Sequence, residues 1–420
     1  MSRQKHVIVC GGGIVGLCCA HYLARDGQRV TLLERDGADH DSCAGGSAGY
    51  ISPSHVIPLA APGMVALGLK WMLSSRSPFY IKPRLDAELF RWGWHFMRSC
   101  NARNVARGAP VLADLCVRSR ELFGEFAEAT RNEFLLEKRG VMNVCKTQQM
   151  LDHEAHGLAK LANELGVEAR VLDAREAAAI EPGAKLDVIG AVYFPGDAHL
   201  DPRRFTTVLA RLVREAGVEL RFNTAVTGWR LAGGRIAAAM TPAGEVAADD
   251  FVLAGGSWSP AMLPSLGVRL PMQAGKGYSL TLARPRLKMN TPIICTEARV
   301  AVTPMGDMLR FGGTMEISGL DSPLRPERVR QIIESVPKYL PEMSPGDFDG
   351  VPPWHGLRPV SPDGLPYIGR FARHENLLAA CGHAMLGVTL GPITGRLVAE
   401  LVAGRPPSIA LETLGPDRFS

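Results

Sequence analysis

Apolar residues run without interruption over Val7-Ile8-Val9-Cys10, so His6 to Cys10 predicts a parallel strand covered on both faces rather than a half-solvated one. Gly11-Gly12-Gly13-Ile14-Val15-Gly16 follows at once. Leu17 to Arg25 then carries Ala20, Leu23 and Ala24 at helical spacing, and Arg29 to Leu33 is a second apolar run that stops at Glu34. The order predicts strand, turn, helix and strand. Later, Gly217 to Val226 reads as a strand and a turn into another strand, and Asp249 to Gly256 as a buried strand ending in small residues. A glycine-rich turn from Gly382 through His383, Gly387, Val388 and Thr389 predicts the entry to a last helix over Pro392 to Leu401.

Two stretches lack Asp, Glu, Lys and Arg and imitate membrane segments. Val7 to Ala24, preceded by Arg3 and Lys5, imitates a secretory leader, and Leu377 to Gly395 a spanning helix. The glycines at 11, 12, 13 and 16 break the first pattern; Gly382, Gly387, Gly391 and Pro392 break the second. Both therefore predict buried turns around a ligand, and no transmembrane helix is expected.

The first turn has the spacing of a dinucleotide site. Gly11 permits the tight bend, Gly13 lets a pyrophosphate approach the backbone, and Gly16 lets helix and strand pack closely. Ile14 and Val15 belong to the turn that leads into the helix over Leu17 to Arg25, whose N-terminus faces the phosphate charge. Glu34, with Arg35 beside it, closes the second strand where ribose hydroxyls need an acceptor, and its charge disfavours a 2′-phosphate.

Composition narrows the class. The 420 residues are 46% apolar and 21% charged with mean hydropathy +0.03, a globular profile long enough for two cores. None of the nine cysteines forms a Cys-x-x-Cys pair, which removes the iron–sulfur and zinc patterns; His153 and His156 share a helix face but lack a third ligand, and no metal is expected. A net charge of +5 without a basic run gives no case for nucleic acid. Leu89 to Met97 is apolar and aromatic around most of a helix, with Arg91 and Arg98 beside it. The commoner fate of such a stretch is burial between domains or subunits; with Trp71 and Met72 it also fits an interfacial membrane patch.

Beyond the fingerprint, the chain contains Ser47-Ala48-Gly49-Tyr50-Ile51-Ser52-Pro53, Ala60-Ala61-Pro62-Gly63, Lys70-Trp71-Met72 and Arg221-Phe222-Asn223-Thr224. It also has Lys276-Gly277-Tyr278-Ser279, Gly356-Leu357-Arg358-Pro359 with Ser361-Pro362-Asp363-Gly364, and Gly382-His383. With these segments it resembles the FAD-dependent D-amino acid oxidase superfamily, most closely its bacterial D-amino acid dehydrogenase branch. The resemblance implies an α/β plus α+β fold of the p-hydroxybenzoate hydroxylase type, a Rossmann-like FAD-binding domain interleaved with an antiparallel-sheet substrate domain. The expected division gives 1–75, 195–270 and 355–420 to the FAD domain and 76–194 and 271–354 to the cap.

The resemblance also implies roles. Arg358 is the expected clamp of a substrate carboxylate, since a guanidinium fork matches it. Tyr278 would bond the same carboxylate, Lys276 would sit near the flavin edge, and His383 would touch flavin or substrate. Tyr50 stands where better-known members have glutamine, and with His199 it would line the substrate side. Ser47, Ala48 and Gly49 would form a loop over the flavin, with Val226, Ala254, Gly255, Gly356, Gly387, Val388 and Thr389 completing the cofactor site. Sarcosine oxidases attach flavin through a cysteine at the position of Gly356, so the FAD here is expected to be noncovalent. The implied reaction takes a hydride from Cα of a D-amino acid to flavin N5 and passes electrons to a respiratory-chain acceptor, a quinone or a partner subunit. The expected location is cytoplasmic, with peripheral contact to the inner membrane left open. A D-hydroxyproline dehydrogenase, an oxygen-using glycine or sarcosine-type oxidase and a non-catalytic FAD-binding subunit remain as alternatives.

Overall fold

The computed structural model describes residues 4–72, 79–321 and 323–420. Arg3 lies outside them, as do the side chains of Trp71 and Met72, on which part of the expected surface patch rested. The predicted strand–turn–helix–strand unit is present as His6–Cys10, Ile14–Arg25 and Arg29–Leu33. It forms the centre of a six-stranded sheet in the order Tyr367–Arg370, Leu377–Cys381, Asp250–Leu253, His6–Cys10, Arg29–Leu33 and Glu219–Arg221. Neighbours run parallel except at the edge, where Tyr367–Arg370 and Leu377–Cys381 are antiparallel.

One face of this sheet is covered by three helices, Ile14–Arg25, Pro202–Glu215 and Gly387–Val402. The first and last approach so closely that a Cβ on Gly395 would lie 2.5 Å from the Cys18 carbonyl oxygen. The predicted last helix begins earlier than expected, at Gly387, and carries Pro392 inside it, where the ring removes one i→i−4 hydrogen bond. Ala384–Val402 is apolar and long enough to span a membrane, yet most of it is buried in this core. The expected strand–turn–strand over 217–226 is only half correct. After Glu219–Arg221 the chain turns at Asn223 (φ +52°) and runs irregularly to the next strand, Gly228–Ala232.

The second sheet is longer, in the order Trp354–Val360, Gln273–Ala283, Met308–Ile317, Val300–Met305, Ile293–Cys295, Val141–Cys145, Gly190–Phe194 and Arg170–Asp173. It is mixed rather than antiparallel. Val141–Cys145 pairs parallel with Ile293–Cys295, and Phe79–Ile81 parallel with Met308–Ile317. These partners are distant in sequence, so no hairpin constrains their direction.

Two expected boundaries also move. Trp354–Val360 belongs to the second sheet, so a cut at 355 would divide a strand. The long helix Ala102–Ala129, expected in the cap, packs on the first core: its Phe123 and Phe126 rings meet Phe205, and Leu112, Leu115 and Cys116 are buried with them. Its apolar stripe is wide enough to need a core, and the first sheet's helices supply it. A two-stranded ribbon, Tyr50–Ile51 against Ala198–His199, joins the loop after the nucleotide unit to the chain entering Pro202–Glu215.

Candidate active site

One cavity of about 1240 Å³ begins where the first sheet's strands end, at Cys10, Leu33, Ala254 and Cys381, and extends beneath the second sheet. It exceeds the ~300–1,000 Å³ of ordinary small-molecule sites, enough for an elongated ligand and a second, smaller one.

At its strand-end side the three glycines do different work. Gly11 has φ +120°, and a Cβ there would lie 2.5 Å from the Ala254 carbonyl oxygen; a Cβ on Gly16 would overlap the Gly11 carbonyl oxygen. Gly13 differs, because a Cβ would meet no protein atom within 4 Å and would project into open space at the helix start. Ile14, Val15, Arg35, Val226, Ala254 and Gly255 border the same space. The Arg35 guanidinium lies 3.8 Å from the centre of the Trp258 ring, a flat polar–aromatic platform that no motif signals. Glu34 is buried, and its carboxylate accepts from Gly12 N (2.6 Å) and Asp36 N (2.9 Å). It braces the turn from within and still borders the cavity, a task beyond the expected acceptance from a ribose.

Farther in, Ser47, Ala48, Gly49, Tyr50, Gly356, Gly387, Val388 and Thr389 line the wall. The Ser47 carbonyl accepts from the buried Arg310 (2.7 Å), and Thr389 Oγ1 donates to the Tyr50 carbonyl (2.8 Å), tying the loop to the second sheet and the last helix. Arg310, far along the chain from Ser47, is a positioning residue that no motif disclosed. Tyr50 reaches the cavity with its ring, but its hydroxyl donates to the carbonyls of Ile293 and Val302 (2.9 and 3.3 Å), so the phenol is spent on the sheet.

Arg358 is on the face of Trp354–Val360 that overlooks the cavity. In the register Gly277 opposes Gly356 and Gly275 opposes Arg358, and the Arg358 guanidinium folds over Gly277, where any Cβ would overlap it. It donates to the Thr314 carbonyl (2.8 Å), and among the described residues no carboxylate pairs with it. Burial holds its pKa below the usual guanidinium value.

The match of the FAD dependent oxidoreductase family DAO covers residues 6–401. This chain belongs to that family. Its DAO relatives include a D-amino acid dehydrogenase of Granulibacter bethesdensis, 34% identical over 420 residues and covering 99% of both chains. Another, of Methylobacterium radiotolerans, is 36% identical over 430 residues, covering 99% of this chain and all of the relative. Among solved structures, glycine oxidase from Geobacillus kaustophilus superposes with a TM-score of 0.79 at 22% identity, covering 99% of each chain. L-proline dehydrogenase from P. horikoshii gives 0.75 at 21% identity, covering 100% of this chain and 98% of that one. These two share the fold.

The DAO chain fits the family's cofactor. The open side of Gly13 at a helix N-terminus is the space a pyrophosphate needs, and the cavity continues from there to the start of Gly387–Val402, a helix N-terminus with no side-chain cap.

Two expected substrate contacts, Lys276 and His199, lie away from the cavity, and a third, Tyr278, borders it while turning its hydroxyl to Glu316. Tyr278 and Lys276 alternate with Gly277 and so project from the opposite face of the strand to Arg358. The Tyr278 hydroxyl donates to buried Glu316 (3.2 Å) and Lys276 Nζ to the Pro323 carbonyl (3.1 Å), a polar cluster behind the site, although Tyr278 still borders the cavity. His199 is buried in the two-stranded ribbon and does not border the cavity; burial lowers its pKa to about 4. His383 does line it, with Nε2 2.9 Å from Thr394 Oγ1, and burial lowers its pKa to about 3, so the ring is neutral throughout the physiological range.

Asp197, from the same segment as His199, supports the wall instead. Fully buried, it accepts from Ser54 N (3.0 Å) and Ser54 Oγ (2.5 Å), next to the cavity residue His55. Burial raises its pKa to about 7 despite those bonds and Arg120. An unfolded aspartate titrates near ~4. Between these values the folded chain holds a proton that the unfolded chain has released, so stability falls as pH rises from about 4 to 7 and levels off above. Asp197→Asn is expected to remove roughly 3 kcal/mol of this slope, read from urea unfolding at pH 5 and pH 8.

Proposed function

We propose that this chain is a dehydrogenase of D-amino acids, giving a 2-oxo acid and ammonia. The carrying observation is Arg358: a guanidinium in the cavity wall, without a carboxylate partner among the described residues, is complementary to the carboxylate of an amino acid. The relatives named D-amino acid dehydrogenase along the full chain support that choice. FAD, when bound, noncovalently in this reading since Gly356 offers no sulfur, supplies the two-electron acceptor for the Cα hydride.

The chain's own residues then have few tasks. Arg358 holds the carboxylate and so fixes Cα relative to the wall opposite. The apolar lining excludes water while the amine is neutral and its lone pair assists loss of the hydride. The resulting imine is hydrolysed by water to 2-oxo acid and ammonia. Neutral His383 and the hydrogen-bonded Tyr50 add no charge of their own beside the substrate amine. Anaerobic mixing with D-alanine, D-proline and cis-4-hydroxy-D-proline, with L forms as controls, tests the reading. Bleaching of the flavin band by D forms supports it, a cyclic preference with a cyclic imine product marks a hydroxyproline enzyme, and no bleaching by any of them overturns it.

A membrane-side acceptor is favoured by a separate observation. Phe90 and Trp94 on Ala87–Ser99 are 65% and 56% exposed, Leu85 is fully exposed, and Arg91 and Arg98 flank them. The cavity lining continues through Met64, Phe90, Trp94 and Met97 to this surface, an apolar route suited to a quinone held at a lipid interface. Trp92, on the other face of the helix, is buried and donates to the Val360 carbonyl (2.9 Å). In this reading the protein is cytoplasmic and touches the inner membrane peripherally. Co-sedimentation with vesicles containing anionic lipid is expected to fall at least about fivefold in Phe90→Asp/Trp94→Asp; unchanged sedimentation would refute membrane contact.

A further inference from the structure

Asp41, in the loop after the nucleotide unit, joins three separate parts of the chain. Its Oδ2 accepts from Trp354 Nε1 (2.5 Å), on the second sheet, and from Arg203 (2.8 Å), on Pro202–Glu215. Arg203 Nε also donates to the Gly45 carbonyl (3.2 Å), so both ends of the 41–45 loop are fixed from the same helix. The Trp354 indole lies against two glycines, Gly46 of that loop and Gly356 of its own strand; a Cβ at either would overlap the ring. Gly356 pairs across the strands with Gly277, over which the Arg358 guanidinium folds. Asp41, Gly46, Trp354, Gly356 and Arg358 all border the one cavity.

We infer that Asp41, Trp354 and Arg203 form a clasp that closes the cavity over the noncovalently held cofactor and sets how fast FAD leaves. The indole covers what two glycines leave bare, and Asp41 holds it there by a charge-assisted hydrogen bond. Arg203 then ties the closed loop to the first core. Since Asp41 and Arg203 are 40% and 58% exposed, the ion pair is weak by itself and salt screens it. Its effect is felt because the same carboxylate also orients the indole. The inference rests on the family's cofactor occupying this cavity and is independent of which amine is oxidised.

The test is FAD release from the holoenzyme, followed by the rise of free-FAD fluorescence after large dilution into FAD-free buffer, at low and at 0.5 M salt. Asp41→Ala and Trp354→Phe, which keeps an aromatic ring but removes the N–H, are expected to speed release about tenfold. Asp41→Asn, still able to accept from the indole, is expected to restore part of the loss. Salt should accelerate release in the parent protein and not in Asp41→Ala. Thermal unfolding of each apoprotein is measured beside it. Release within twofold of the parent in Asp41→Ala and Trp354→Phe would overturn the inference, and so would faster release accompanied by an equal loss of apoprotein stability. Failure of D-amino acids to bleach the flavin would leave this readout untouched and overturn only the functional reading.

Discussion

Arg358→Ala is expected to remain yellow and to lose its amino-acid substrate. The guanidinium contacts the wall through one carbonyl, that of Thr314, and folds over Gly277, so removing it leaves a void beside the substrate and not within either core. Losing one partner of a buried, hydrogen-bonded charge pair costs about 2–5 kcal/mol, which corresponds to roughly a 30- to 4,000-fold fall in kcat/KM. The loss should appear mainly in KM, because the carboxylate is held in both ground and transition states. Arg358→Lys should recover only part of it, since a single ammonium cannot reproduce the fork. Steady-state kinetics with the best D-amino acid, beside the flavin absorbance of the same preparation, separates the outcomes; normal kinetics in Arg358→Ala would remove the carboxylate clamp from this site.

The fingerprint glycines should separate cofactor binding from folding. Gly13→Val places its Cβ where, chain neighbours aside, no protein atom lies within 4 Å, so the apoprotein should fold with near-parental stability. The same side chain fills the space required for close approach of a pyrophosphate, and FAD affinity is expected to fall more than about a hundredfold, leaving a colourless protein. Gly16→Val is expected to differ, because its Cβ overlaps the Gly11 carbonyl and the first helix must shift off its strand. That variant should lose several kcal/mol of stability as well as cofactor, by forced overpacking. Absorbance at the flavin band and apoprotein unfolding distinguish the two; a yellow Gly13→Val would place the pyrophosphate elsewhere.

How far these sites could be read from sequence follows from how local each one is. The nucleotide end is specified by adjacent residues, since Gly11, Gly13 and Gly16 sit on one turn between a strand and a helix, and their tasks follow from spacing. The substrate end depends on strand register between segments remote in the chain. Gly277 opposes Gly356, and this pairing puts Arg358 over the cavity and sends the Tyr278 hydroxyl behind the sheet. A motif that contains both a lysine and a tyrosine in consecutive alternation carries no sign of which face is inward. His199 was misplaced for a related reason: its strand is two residues long and takes its direction from Tyr50–Ile51. Arg310 and Asp41 act through hydrogen bonds to residues remote in the chain, and such partners leave no periodic trace. The apolar stripe of the long helix Ala102–Ala129 fits either core, and its pattern carries no sign of which one receives it.

The strand order of the first sheet has a consequence for how the protein is made. His6–Cys10 lies between Arg29–Leu33 and Asp250–Leu253, and the helix that seals its core, Gly387–Val402, comes from the other end of the chain. During synthesis the leading strand therefore leaves the ribosome long before either its second neighbour or its cover exists. Until residue 402 has emerged, the part of Ile14–Arg25 that packs on Gly387–Val402 stays bare even though Pro202–Glu215 is already available, and this apolar surface must be kept from aggregating while the intervening chain is made.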